Sequence, residues 1–103
     1  MADATEDARE AAVKASDPKR LLPGEDPDST HPDDPAHWIE VYRELLAYKE
    51  RLLAVTEETI HLMPEEPARR EAAETDQVII TAERDRFARR LAYWTRRRSE
   101  LSQ

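Results

Sequence analysis

Cysteine is missing from this 103-residue sequence, and glycine occurs once. Without cysteine the chain has no disulfide and no thiolate ligand for a metal ion. A single glycine excludes a Gly-rich phosphate-binding loop, and none of the standard catalytic motifs occurs. We therefore expect a protein that is not an enzyme and that uses no cofactor.

Long apolar runs are also missing, since no stretch approaches the ~18 consecutive apolar residues of a membrane-spanning helix. The first residues are acidic where a signal peptide carries a positive region followed by an apolar run. These features predict a soluble, cytoplasmic protein with no membrane contact. Charged residues make up 38% of the chain and there are only six aromatics, a composition typical of exposed helices rather than of a large core.

Metal ligands occur in two arrangements, of which neither predicts a site. Glu58 and His61 form the Glu-x-x-His pattern of di-iron helix bundles, but both lie outside the apolar seam where such a site is built. His31 and His37 flank acidic residues in a proline-containing segment that lacks a fixed geometry. We expect no metal site and interpret all these side chains as solvated.

The net charge of −7 is unevenly distributed. Residues 1–35 hold ten acidic and four basic side chains, whereas residues 84–103 hold seven arginines against Asp85 and Glu100. The first segment also contains five of the seven prolines and few large apolar side chains, so it cannot offset its ordering entropy by burial. Thr5 to Ala15 is suited to a short helix, which is marginal alone. The composition therefore predicts a disordered acidic arm over residues 1–34.

The strongest periodicity lies in residues 35–63. Asp34 is a good N-cap and Pro35 suits the first helical position. Apolar positions then alternate spacings of three and four, as in the a/d seam of a coiled coil. The seam consists of Trp38, Val41, Leu45, Tyr48, Leu52, Val55, Thr59 and Leu62. A second row repeats every seven residues beside it and consists of Ile39, Leu46, Leu53 and Ile60, with Tyr42 at its flank.

A second helix is predicted over residues 64–101. Pro64 and Pro67 are tolerated in a first turn, whose amides have no intrahelical partner. Ala73, Ile80, Phe87, Trp94 and Leu101 then repeat every seven residues. Because the connection is so short, the two helices must run antiparallel, with Trp38 near Phe87 and Leu91. The predicted fold is thus all-α: residues 35–103 form a coiled-coil-like helical hairpin.

A lone hairpin of this size buries little surface, and helix one is apolar over more of its circumference than one neighbour can cover. We therefore predict that two hairpins pair into a four-helix bundle, as a homodimer, or that one hairpin packs against a helix of another protein. The predicted partner-binding residues are those of the second row and its flank: Ile39, Tyr42, Leu46, Leu53 and Ile60. The leading function is a non-catalytic protein–protein interaction module, such as a small adaptor or regulatory protein.

The arginine-rich end supports an alternative function. Side chains at five positions could bind phosphates of a nucleic acid, a polyanion. They are Arg89, Arg90, Arg96, Arg97 and Arg98. The competing explanation is charge compensation by acids of the arm, such as Glu25 and Asp26, which the antiparallel register brings to the same end. A further alternative is a transcription regulator that inserts an acidic hairpin tip, Glu65 and Glu66, into RNA polymerase.

Overall fold

The fold was analysed in a computed structural model, which describes residues 4–17, 19–62 and 67–103. This part of the chain contains three helices and no strand: α1 spans Ala4–Ser16, α2 spans Asp33–Leu62 and α3 spans Pro67–Leu101. The all-α prediction is confirmed. Helix α2 begins with Asp33 and Asp34, whose charges suit the positive end of the helix dipole. The predicted connection, with Pro64, Glu65 and Glu66, lies outside the described residues.

Helices α2 and α3 pack against each other in opposite directions. Trp38 stacks on Trp94 with ring centroids 6.5 Å apart, and Tyr42 lies 5.9 Å from Phe87. Further along α2, Lys49 forms an ion pair with Glu83 at 3.3 Å. These contacts are shifted by up to about one helical turn from the predicted register, and Trp38 and Phe87 still pack in the same core.

The core is concentrated at one end of this pair, here called the aromatic end. Ile39, Tyr42, Phe87 and Trp94 are buried there, and Tyr42 and Trp94 have no exposed surface. The opposite end, here called the turn end, is packed by smaller side chains. It contains a groove of about 320 Å³, lined by Thr56, Thr59, Arg69, Ala72, Ala73 and Asp76. The helical pair is therefore held together mainly at its aromatic end.

The buried face of α2 is not the predicted a/d seam. Tyr48, Val55 and Leu62 are 52%, 60% and 70% exposed, whereas Ile39 and Leu53 of the second row are 3% and 8% exposed. The helix is thus rotated toward the second row. The apolar arc of α2 is wide enough to permit either orientation, and the one adopted places Tyr42 against α3 and the N-terminal arm.

The described part of the N-terminal arm, residues 4–17 and 19–34, lies against the helical pair. Helix α1 packs on α3 and makes no contact with α2, so that α3 lies between the other two helices. The segment after α1 then crosses to the start of α2 and packs Leu22 against the aromatic core. The arm has few apolar side chains, and it also forms hydrogen bonds to side chains of α3.

Candidate functional site

A tight turn in the N-terminal arm brings a carboxylate into the aromatic end. The amide of Glu25 donates to the carbonyl oxygen of Leu22 at 3.0 Å across Pro23 and Gly24. Gly24 has a φ of 82°, the left-handed conformation that position i+2 of a type II turn requires, and proline is favoured at position i+1. The Pro-Gly pair was the sequence signal for this turn. The side chain of Glu25 has no exposed surface.

Both carboxylate oxygens of Glu25 accept hydrogen bonds. Oε1 accepts from the Leu22 amide at 2.9 Å and from the hydroxyl of Tyr42. Oε2 accepts from Nε and Nη2 of Arg90 at 3.1 and 2.6 Å, and from the indole nitrogen of Trp94 at 2.7 Å. Glu25, Tyr42, Arg90 and Trp94 are called the Glu25 cluster below. The cluster joins the arm, α2 and α3 at one point.

The electrostatics of the Glu25 cluster favour the ionised carboxylate. Burial raises the pKa of Glu25, but the hydrogen bonds from Tyr42, Leu22, Trp94 and Arg90 outweigh it, and the pKa lies below its ordinary value. Burial, with the hydrogen bond and the charge of Glu25, raises the pKa of Tyr42 to about 12. The hydrogen-bond donors of the cluster thus all meet one charged, enclosed acceptor, the carboxylate of Glu25. The enclosed carboxylate of Glu25 connects the arm to α2 and α3.

The five arginines predicted to bind a polyanion do not form one surface. Arg90 is buried in the Glu25 cluster. Arg89 donates to the carbonyl oxygen of Ser16, and Arg97 donates to that of Ser29. Arg89, Arg96 and Arg98 are exposed. An acidic side chain of the arm thus compensates the charge of Arg90, whereas Arg89 and Arg97 are bound by backbone carbonyl oxygens of the arm. The sequence could not distinguish these arginines, because the acceptors of Arg89, Arg90 and Arg97 lie 65 to 73 residues away in the chain.

One further arginine, outside the predicted polyanion-binding set, is buried near the same place. Arg86 is 3% exposed, lies over the ring of Phe87 and donates to the carbonyl oxygen of Arg20 at 3.4 Å. Its Nε has no hydrogen-bond partner in the described part of the chain. Burial, followed by the charge of Arg20, lowers the pKa of Arg86. The side chain is therefore a poorly compensated buried cation.

The predicted partner-binding residues are mostly occupied within the chain. Ile39, Tyr42 and Leu53 are buried, while Leu46 and Ile60 are partly buried. These three side chains are packed within the chain, and their role in partner binding stays a prediction. Their burial again follows from the rotation of α2, which turns the second row toward α3.

The exposed apolar side chains of α2 lie on a different side of the helix from the second row. Tyr48, Val55 and Leu62 repeat every seven residues on one side of the helix and are called the outer row below. Each is more than half exposed. The sequence analysis had placed all three in the seam between α2 and α3. Their repetition at heptad spacing was the available signal, but their exposure depends on the rotation of the helix.

No match was found when the chain was compared with protein families, with curated proteins and with solved structures. Among the described residues, no helix combines the length and the apolar character needed to cross a bilayer. The same residues contain no group of three histidine or acidic side chains placed to hold a metal ion. The outer row and the Glu25 cluster are thus the features from which a function must be argued.

Proposed function

We propose that this chain is a non-catalytic protein–protein interaction module, a small adaptor or regulatory protein that binds other helices through α2. The observation that carries the proposal is the outer row, three large apolar side chains at heptad spacing that remain exposed while the chain's own core lies elsewhere. Single exposed apolar residues are common, but a row at seven-residue spacing is typical of helix–helix association.

In this proposal α2 and α3 form a helical hairpin whose aromatic end is fixed by the Glu25 cluster and whose turn end presents the binding surface. The partner is a second hairpin or a helix of another protein, and the assembly is a four-helix bundle in the first case. The two ends differ in packing. Large aromatic side chains hold the aromatic end together, whereas threonines and alanines line the groove of the turn end. A thinly packed end gains the most from additional apolar contacts.

Binding of a nucleic acid by the arginine-rich end has less support. The competing proposal needs a continuous cationic surface, and three of its five arginines are hydrogen-bonded to the N-terminal arm. Arg89, Arg96 and Arg98 are the exposed members. The RNA-polymerase alternative rested on Glu65 and Glu66, which lie outside the described residues, so the proposed function does not use them.

Affinity capture from the native host, followed by mass spectrometry, tests the proposed function. The baits are the full-length chain, a Val55→Asp variant that places a charge in the outer row, and a Glu57→Arg control at an exposed position on another side of α2. Proteins that bind through the outer row, including untagged copies of the chain itself, are expected with the first and third baits and not with the second. Identical captures with all three baits would contradict the proposal.

A further inference from the structure

The outer row is long enough to accommodate one helix. Val55 lies seven residues from both Tyr48 and Leu62, so the row extends about 21 Å along α2 at ~1.5 Å per residue. Side chains with this spacing stay on one stripe, and they match a partner that has the same spacing. Helix α1 does not cover the stripe, because it contacts α3 and not α2.

Charged side chains at a matching spacing accompany the outer row. Arg51 and Glu58 are exposed and lie on the flank of the row that faces away from Leu52 and Thr59. Neither forms an ion pair with any residue that the structure describes, in contrast to Lys49, which pairs with Glu83. The two charges have opposite signs and are seven residues apart, centred close to Val55.

We propose that the occupant of the outer row is a second copy of the chain, whose α2 lies antiparallel to the first about a two-fold axis near Val55. This inference rests on the proposed function and specifies its partner. In this register Tyr48 of each copy packs on Leu62 of the other, and the two Val55 side chains meet at the axis. An isologous contact of this kind closes with two copies.

The flanking charges select this orientation. In the antiparallel register Arg51 of each copy lies beside Glu58 of the other, which gives two favourable pairs. A parallel arrangement in register instead places this flank of the two copies on opposite sides of the contact, so that neither Arg51–Glu58 pair forms. The charge pattern therefore favours one orientation and supplies a test that does not depend on how tightly the dimer forms.

The area of the contact limits its strength. Three apolar side chains from each copy form a small interface compared with the ~1,200–2,000 Å² of stable complexes. We expect a dimer with a Kd of about 1–100 μM, which lies between values typical of transient and of permanent association. The exposed ion pairs contribute most at low ionic strength, since salt screens them.

Sedimentation equilibrium of the full-length chain at low salt tests the inference. Protein concentrations from about 1 to 300 μM span the expected Kd. The wild type is expected to dimerise, and Val55→Asp is expected to raise the Kd more than about 100-fold because it places two carboxylates together in an apolar contact. Arg51→Glu alone and Glu58→Arg alone are each expected to weaken dimerisation about tenfold. An equal mixture of these two variants is expected to form a heterodimer near wild-type strength. Glu57→Arg and Arg43→Glu, at exposed positions away from the row, serve as controls of matched charge change.

Recovery of dimerisation in the mixture of Arg51→Glu and Glu58→Arg is the decisive result. If each substitution only destabilised α2, mixing the two variants would not restore dimerisation. A monomeric wild type, a dimer insensitive to Val55→Asp, or a mixture that does not recover would each overturn the inference. A monomeric chain that nevertheless captures another protein through the outer row would overturn the second copy as occupant and leave the proposed function intact. Loss of both results would overturn both proposals.

Discussion

Replacing Glu25 with alanine removes the acceptor of five hydrogen bonds at the aromatic end. Arg90, whose side chain is 10% exposed, loses its counter-ion, and the Trp94 indole and Tyr42 hydroxyl lose their acceptor. Breaking a buried ion pair by removing one partner typically costs about 3–5 kcal/mol, because the other charge stays buried. The expected loss for Glu25→Ala lies in this range, a large part of the ~5–15 kcal/mol that stabilises a typical domain.

Urea denaturation, followed by tryptophan fluorescence and by circular dichroism, measures this loss. Trp94 belongs to the Glu25 cluster, and Trp38 stacks on it, so fluorescence reports on the aromatic end. A double variant, Glu25→Leu with Arg90→Met, is the matched control, since it removes both charges and is expected to lose less stability than Glu25→Ala alone. A loss below about 1 kcal/mol for Glu25→Ala would refute the reasoning and mean that the arm is not docked in solution.

Three further predictions concern stability. The folded-state pKa of Glu25 is lowered, so its contribution to the free energy of unfolding is present above the unfolded-state pKa of about 4.3 and is lost as the pH falls below it. Urea melts between pH 7 and 3 should therefore show that Glu25→Gln loses less stability in acid than the wild type. Arg86→Met should change the free energy of unfolding by less than about 1 kcal/mol, whereas Arg90→Met should cost about 3–5; equal losses would contradict the account. In dilute samples, Leu53→Ala should cost about 2–5 kcal/mol and Val55→Ala less than about 1, and the reverse order would show that the orientation of α2 is wrong.

The helical character of the chain was predictable from local pattern. Proline and acidic residues at the start of α2, and apolar residues at helical spacing in α2 and α3, depend on neighbours within a few turns. The predicted first helix begins two residues after the start of α2 at Asp33, and the predicted second helix ends with α3 at Leu101. The other two predicted ends, at residues 63 and 64, lie outside the described residues. Differences of one or two residues are usual, because helix ends fray.

The orientation of α2 and the order in the arm were not predictable in this way. Ile39 and Val55 are equally apolar, and which of them is buried depends on the side chains that α3 presents. Glu25 looked like one acid among ten in a flexible segment, because its partner Arg90 lies 65 residues away. Its burial is specified jointly by the turn at Gly24 and by three donors on two helices, which no local pattern reveals.

Disulfide cross-linking tests most directly whether a second copy occupies the outer row. The wild-type chain has no cysteine, so Tyr48→Cys and Leu62→Cys chains each carry one thiol. In the antiparallel dimer, position 48 of one copy faces position 62 of the other, whereas equal positions lie about 21 Å apart, too far for a disulfide. Oxidation of an equimolar mixture is expected to give mainly the mixed dimer, resolved by mass. Predominance of the two like-with-like dimers would show a parallel arrangement, and absence of cross-linked product would show that the row does not contact a second copy; either result would contradict the account.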